Sequence, residues 1–262
     1  MMIAERHRRI LTEAREHGMV ALRDLVDLLD TSEPTIRRDL RLLASQGLLR
    51  RTHGGAMLMT GPAHEPSYSE KTAQAADEKA AIAAAAFQLV QPGDAIIVGP
   101  GTTTQAFAQL LAGVAELTVV TNSLLVAQAL VSASGVEVVM TAGTLRRSIL
   151  ALVGPATEQT LSGLRATRVF LSGNGVCLER GLTTPNMLVA AADRALVAAA
   201  RDVVVLADYT KIGADTMCQT LPLEQLTTLI TDSRADSDEL DKLRSAGVDV
   251  HVADVHSDIA DR

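Results

Sequence analysis

The apolar rhythm of the chain changes once, near residue 60. Before that point apolar side chains recur every three or four positions. Ile3, Ile10, Leu11 and Ala14 share one face of a helix predicted over residues 3–17, which Gly18 stops. Val20 and Leu22 mark a short extended piece, and Leu22, Leu25, Val26 and Leu29 form a second helical stripe. Asp30-Thr31-Ser32 is a tight polar connection in which Thr31 or Ser32 can cap the next helix. That third helix runs from about Glu33 to Gln46. Pro34 lies in its first turn, where a missing N–H costs nothing. Ile36, Leu40 and Leu43 make its buried stripe, and Gly47 ends it. Residues 48–56 then predict a two-stranded wing that turns at Gly54-Gly55.

From about residue 75 the pattern alternates helices with short continuous apolar runs. Helices are predicted over Asp77–Val90, Thr103–Leu111, from Ser123 to about Ala133, Asn186–Ala200 and Asp236–Ser245. Strands are predicted at Ala95–Val98, Leu117–Val120, Val136–Met140, Arg168–Leu171, Val203–Leu206, Leu229-Ile230 and Val248–Val252. Continuous apolar strands separated by helices are the mark of a mostly parallel sheet covered on both faces, so the fold class is α/β. Between the two patterns, Thr60–Ser67 is rich in turn formers and lacks apolar periodicity, which makes it linker.

Composition narrows the possible functions. The chain has 262 residues, 47% hydrophobic and 21% charged, which suits a packed globular protein. Its five aromatic residues, Tyr68, Phe87, Phe107, Phe170 and Tyr209, are too few for a mechanism built on stacking bases or sugars. Cys177 and Cys218 have no metal-binding spacing and the six histidines are scattered, so no metal or cofactor is expected. The charged N-terminus lacks the apolar run of a signal peptide, and no membrane span is expected; the expected location is the cytoplasm.

The net charge of −7 is unevenly spread. Residues 1–60 carry ten arginines against eight acids, a balance of +2, which leaves −9 for the rest. Two short helices joined by a three-residue turn present the second to the major groove of duplex DNA. Thr35, Arg37, Arg38 and Arg41 on that helix would meet phosphates and base edges, while Arg50, Arg51 and His53 would touch the backbone or minor groove from the wing. Asp39 is an acid among these arginines, expected to orient one of them or to pair within the helix.

Small polar residues follow the strands of the second region. Gly101, Thr102, Thr103 and Thr104 open a helix with free N–H groups and hydroxyls, the chemistry of an anion cradle, although the same residues also suit a plain turn and cap. The loop is neither GxGxxG nor a Walker sequence, so nucleotide binding is not supported. Asn122 and Ser123, then Gly143 with Arg146, then Asp208 with Lys211, repeat the pattern at further strand ends. Asp208 and Lys211 also read as a surface ion pair. Ligands bind outside the carboxyl ends of parallel strands, so the four edges together predict a polyol-phosphate pocket.

The run Pro34-Thr35-Ile36-Arg37-Arg38-Asp39-Leu40, followed by Gly47-Leu48-Leu49-Arg50-Arg51-Thr52-His53-Gly54-Gly55-Ala56, resembles the DNA-binding domain of DeoR-family transcriptional regulators. Gly101-Thr102-Thr103, Thr118 to Ser123, Ala142-Gly143, Val153-Gly154 and Leu206 to Gly213 are similar to that family's sensor domain. The resemblance implies a winged helix-turn-helix over residues 1–58, a linker over 59–74, an effector-sensing domain similar to the ribose-phosphate isomerase fold over 75–253, and a tail over 254–262. It implies no catalytic activity. It implies a repressor of a carbohydrate-metabolism operon that is relieved by a phosphorylated sugar; the modest surface of one small head calls for a homo-oligomer (dimer or tetramer) on a double-stranded DNA operator. The alternative is a sugar-phosphate isomerase with an appended DNA-binding head. Two positions depart from the family's usual pattern: Gly99-Pro100 stand where it has Asp-Ser, and Asp193 stands where it has Lys.

Overall fold

The computed structural model describes residues 3–17, 19–45, 48–52, 54–58, 65–72 and 74–255. It divides into two compact units, residues 1–71 and 72–262.

In the first unit, helix α1 (Ile3–His17) leads through strand β1 (Met19–Ala21) to α2 (Leu22–Leu29) and α3 (Glu33–Ser45). Strands β2 (Leu49–Thr52) and β3 (Gly55–Leu58) form the wing. β3 pairs antiparallel with both neighbours in the order β1-β3-β2. The stripes read from the sequence meet in one core: Ile10 and Ala14 of α1, Leu25 and Leu29 of α2, and Ile36, Leu40 and Leu43 of α3 are buried together with Leu49 and Ala56. Leu22, expected both to end the extended piece and to begin the second helical stripe, opens α2. Gly55 has to be glycine because a Cβ there would stand 2.0 Å from the Val20 carbonyl oxygen. Helix α4 (Tyr68–Thr72) falls inside the stretch expected to be linker. It starts where the Ser67 N–H donates to Glu70 at 2.6 Å, a local capping arrangement that periodicity over so few residues does not reveal.

The second unit is built on α5 (Ala76–Phe87), β4 (Ala95–Val98), α6 (Thr102–Leu111), β5 (Leu117–Thr121), α7 (Leu124–Leu130), β6 (Val136–Met140), the hairpin β7 (Thr144–Arg146) and β8 (Ala151–Val153), α8 (Pro155–Leu161) and β9 (Ala166–Leu171). It continues through β10 (Gly175–Cys177), β11 (Gly181–Thr184), α9 (Met187–Ala198), β12 (Ala200–Leu206), β13 (Cys218–Leu221), β14 (Thr228–Asp232), α10 (Ser237–Ser245) and β15 (Asp249–Ala253). Seven strands form one parallel sheet in the order β15-β14-β12-β9-β4-β5-β6. Each central strand buries both faces. Ile96, Val98, Val119, Phe170, Val204 and Leu206 pack beneath α5, α6 and α7. Ile97, Val120, Val169, Leu171, Val203 and Val205 pack on the side of α8, α9 and α10. The expected α/β class and strand positions are therefore observed. The short β7–β8 hairpin, α8 and the small antiparallel sheet β10-β11-β13 lie in segments that the sequence reading left unassigned.

Candidate functional site

In the first unit the turn between α2 and α3 sets the exposed face. Asp30 ends α2 in the left-handed conformation (φ 44°). The Ser32 carbonyl then accepts from the Thr35 and Ile36 N–H groups at 3.0 and 3.1 Å, and its hydroxyl meets Thr35 Oγ1 at 2.9 Å. With Ile36, Leu40 and Leu43 buried, Arg37, Arg38 and Arg41 are left exposed and Thr35 half-buried. Arg37 reaches back one turn to Glu33, at 2.8 Å from Nε and 2.6 Å from Nη2. Arg41 Nε donates to the Arg37 carbonyl at 3.3 Å. Arg50 and Arg51 lie on β2, where their backbones pair with Met57 and Ala56. His53 lies outside the described residues.

Asp39 does not belong to that exposed face. It is buried on the α1 side of α3 and accepts two hydrogen bonds from Arg6, at 2.5 Å from Nε and 3.1 Å from Nη2. His7 Nε2 lies 2.9 Å from Oδ1, the oxygen that Arg6 Nη2 also meets. It thus orients an arginine, as expected, but one from another helix. Burial pushes the Asp39 carboxyl up. The Arg6 and His7 hydrogen bonds and charges outweigh that, and the net position is below the ordinary carboxylate range.

In the second unit the expected loops lie side by side along the carboxyl edge of the sheet, after β12, β4, β5 and β6, with β9 between β12 and β4. Their side chains divide into wall and surface. Gly101 precedes α6 and packs so closely on the end of β9 that a Cβ would stand 2.8 Å from Ser172 Cβ. Thr103 and Thr104 are buried, and Thr104 Oγ1 donates to the Gly101 carbonyl at 3.1 Å; Thr102 is half-exposed. Asn122 is fully buried and donates to the Leu152 carbonyl of β8 at 2.9 Å, while Ser123 caps α7 by accepting from Val126 N–H. Gly143 touches α8, where a Cβ would stand 2.3 Å from Thr157 Oγ1. Arg146 is half-buried on β7. Gly99 approaches Leu171 and Leu196, and Asp193 is buried on the inward stripe of α9 with Val189, Ala192 and Leu196.

Asp208 and Lys211 do not form the simple ion pair that was one reading of them. Asp208 accepts from the backbone N–H and hydroxyl of Thr210, and Lys211 Nζ donates to that same hydroxyl at 2.8 Å.

Four residues that the sequence reading missed complete this end of the edge. Lys79, on the first turn of α5, is buried, donates to the Gln74 carbonyl and feels the charges of Asp208 and Lys211. Burial pulls its ammonium below the ordinary lysine range, Asp208 opposes that shift and Lys211 adds to it. Glu78 accepts from Arg234 at 2.7 Å, which holds its carboxyl low. The Arg234 guanidinium stacks 4.0 Å above the Tyr209 ring. Asp232, at the end of β14, accepts from the Tyr209 and Arg234 N–H groups at 2.7 and 3.0 Å, yet burial still pushes its carboxyl up. A signal for two of these existed. Three and four positions before Ile82 along the apolar stripe of α5 stand Lys79 and Glu78, both buried.

A winged helix-turn-helix joined to a parallel α/β body with a polar carboxyl edge defines a DNA-binding transcriptional regulator with a sensor domain. Two family profiles match the chain, the DeoR-like helix-turn-helix domain over residues 6–61 and the DeoR C terminal sensor domain over residues 74–233. The chain belongs to the DeoR family. The putative aga operon transcriptional repressor of Escherichia coli O157:H7 is 35% identical over 249 residues, covering 94% of this chain and 93% of the relative. The HTH-type transcriptional regulator GlpR of Haloferax volcanii is 38% identical over 250 residues, covering 95% and 98%. These relatives are named as regulators, and the chain is a regulator rather than an enzyme. Among solved structures, ribose 5-phosphate isomerase A of Methanocaldococcus jannaschii aligns with 53% of this chain and 55% of its own, at a TM-score of 0.40 and 17% identity; nothing about activity follows from that. Among the described residues, no helix is long and apolar enough to cross a membrane.

Proposed function

We propose that this regulator represses a carbohydrate-metabolism operon and releases its operator when a phosphorylated sugar binds at the carboxyl edge of the body's sheet. The observation that carries the reading is the meeting of Lys79, Lys211 and Asp208. The Lys79 ammonium is buried and interacts electrostatically with Asp208, Lys211 and Glu78, while Lys211 reaches Asp208 through the Thr210 hydroxyl. Burial disfavours the Lys79 ammonium despite Asp208 and Glu78, so a further anion at this edge is stabilising. A phosphate dianion supplies the charge, and Asp208 accepts from a sugar hydroxyl. Gly101 and Thr102 bring the N-terminus of α6 to the same edge, Thr103, Thr104, Asn122 and Ser123 form its wall, and Gly143 and Arg146 flank its far side.

On the head, Thr35, Arg37, Arg38 and Arg41 meet phosphates and base edges of the operator from α3, while Arg50, Arg51 and His53 touch its backbone or minor groove from the wing. The working form is a homodimer or tetramer in the cytoplasm. The test is thermal denaturation of the full chain with a panel of pentose and hexose phosphates, run beside operator binding. One phosphate ester raises the melting temperature and releases the operator, and its unphosphorylated sugar does neither; at a hundredfold excess over Kd the stabilisation is about 2.7 kcal/mol. If no ester stabilises the chain, the sensor assignment fails.

A further inference from the structure

The ion pair beneath the recognition helix points to a role for a residue that faces away from DNA. α3 is attached to its unit by Ile36, Leu40 and Leu43. Apolar burial holds the helix down but is non-directional, so it tolerates small rotations of α3 about its own axis. The contact between Asp39 and Arg6 is of another kind. Arg6 presents its planar fork to both carboxylate oxygens, at 2.5 and 3.1 Å, and His7 approaches the same carboxylate at 2.9 Å. Arg6 is 8% exposed and Asp39 5%. A two-point, charge-assisted contact of this sort is directional, and removing one partner strands a buried charge. Its position also matters. Thr35 precedes Asp39 by one helical turn and Arg38 is its neighbour, and Ile3, Arg6, Thr35, Arg38, Asp39 and Leu42 line one groove beside the exposed face of α3.

We propose that Asp39 is a positioning residue for operator recognition: through Arg6 and His7 of α1 it fixes the rotational setting of α3 and so the aim of Thr35 and Arg38. The proposal rests on the assignment of Thr35 and Arg38 as base readers. Asp39 itself touches no DNA.

The sign of the effect separates this role from two others. If Asp39 acted only as a charge, its removal would strengthen binding to every duplex, because the head gains one positive unit. If it acted only in stability, its loss would weaken binding to all duplexes in proportion to the unfolded fraction. A positioning role changes discrimination alone. The experiment uses the full chain, a duplex selected by it from a random-sequence pool, and an unrelated duplex of equal length.

Asp39→Asn is expected to cut the affinity ratio between the two duplexes by about tenfold, the worth of a misaimed base contact. Binding to the unrelated duplex holds or rises, and the salt dependence keeps its slope. Arg6→Lys, which keeps the charge and loses the fork, gives an intermediate ratio. An unchanged ratio for Asp39→Asn overturns the proposal. Should Asp39→Asn lose its fold, Asp39→Leu with Arg6→Met replaces the pair by apolar groups without stranding a charge. That double variant is expected to fold and still to lose discrimination, and full discrimination in it overturns the proposal. Arg38→Ala distinguishes the underlying assignment. If it leaves the ratio intact, the base-reading assignment falls and the proposal with it; if it lowers the ratio while the Asp39 variants do not, positioning alone is refuted.

Discussion

At the scale of single residues, the two units use buried charge in opposite ways. Asp39 is stabilised by its partners, so its carboxyl sits low. A lowered folded-state value contributes stability that is fully present above the unfolded carboxylate value, about pH 4, and is lost as pH falls through the lowered one. Acid unfolding of the chain is therefore expected to lose its dependence on that acid limb in Asp39→Asn, measurable by circular dichroism across the range. Lys79 is the converse, an ammonium held low chiefly by burial. An anion bound there needs the proton. Its affinity should fall as pH rises through the lowered value, earlier than the roughly 10.4 of an ordinary lysine. Lys79→Gln should abolish the response to the phosphorylated sugar and leave operator binding in place; equal release of both proteins by the same ester refutes the role. Gly101 is a steric case. Gly101→Ala must displace Ser172, at a cost of about 1–3 kcal/mol, read as a lower midpoint in urea.

At the scale of elements, one rule accounts for much of what the sequence reading missed. The stripes of α1, α3, α5 and α9 are apolar at intervals of three and four, but each includes a charged member: Arg6, Asp39, Glu78 with Lys79, and Asp193. Grouping by residue type assigned Asp39 to the exposed arginine face, although its position, three after Ile36 and four before Leu43, already placed it inside. Which partner each charge meets is not in the stripe at all, because the partners belong to other elements. The elements themselves were legible because their signals are local. Val136–Met140 was predicted with the limits observed, and β9 and β12 begin a few residues earlier than their apolar runs. The hairpin β7–β8 escaped because three-residue strands carry almost no period. On α3, Arg38→Ala should weaken operator binding by about 1–3 kcal/mol if Arg38 reads a base edge, or reduce the salt slope by about one if it meets a phosphate. In the body, Phe107 and Phe170 stack at 4.5 Å between α6 and the sheet, both fully buried. Phe170→Ala should cost about 3–5 kcal/mol, seen in chemical denaturation.

At the scale of the whole molecule, the uneven charge divides the work. The head carries +2 and the body −9, so duplex DNA is drawn to the head and repelled by the body. One small head covers roughly 600–1,000 Å² of protein surface on DNA, which is modest for a specific complex. Operator binding should therefore take at least two chains, with half-sites about one helical turn apart, in sedimentation and footprinting. A single chain bound per operator would contradict the dimer.

The sequence by itself determined the two-unit plan, the helical and strand periods, the arginine face of α3 and the polar residues at the strand ends. All of these are set by neighbours within a turn or two of backbone. Only the tertiary structure decided the pairings, Asp39 with Arg6 and His7 and Glu78 with Arg234, and brought Lys79 within the field of Asp208. In the head the cause is the packing of α1 on α3; in the body it is topological. Strand β12 lies between β9 and β14 while α5 covers the same end of the sheet, so residues far apart in sequence share one edge. The charges that meet there are fixed by the order of strands, which no local period records.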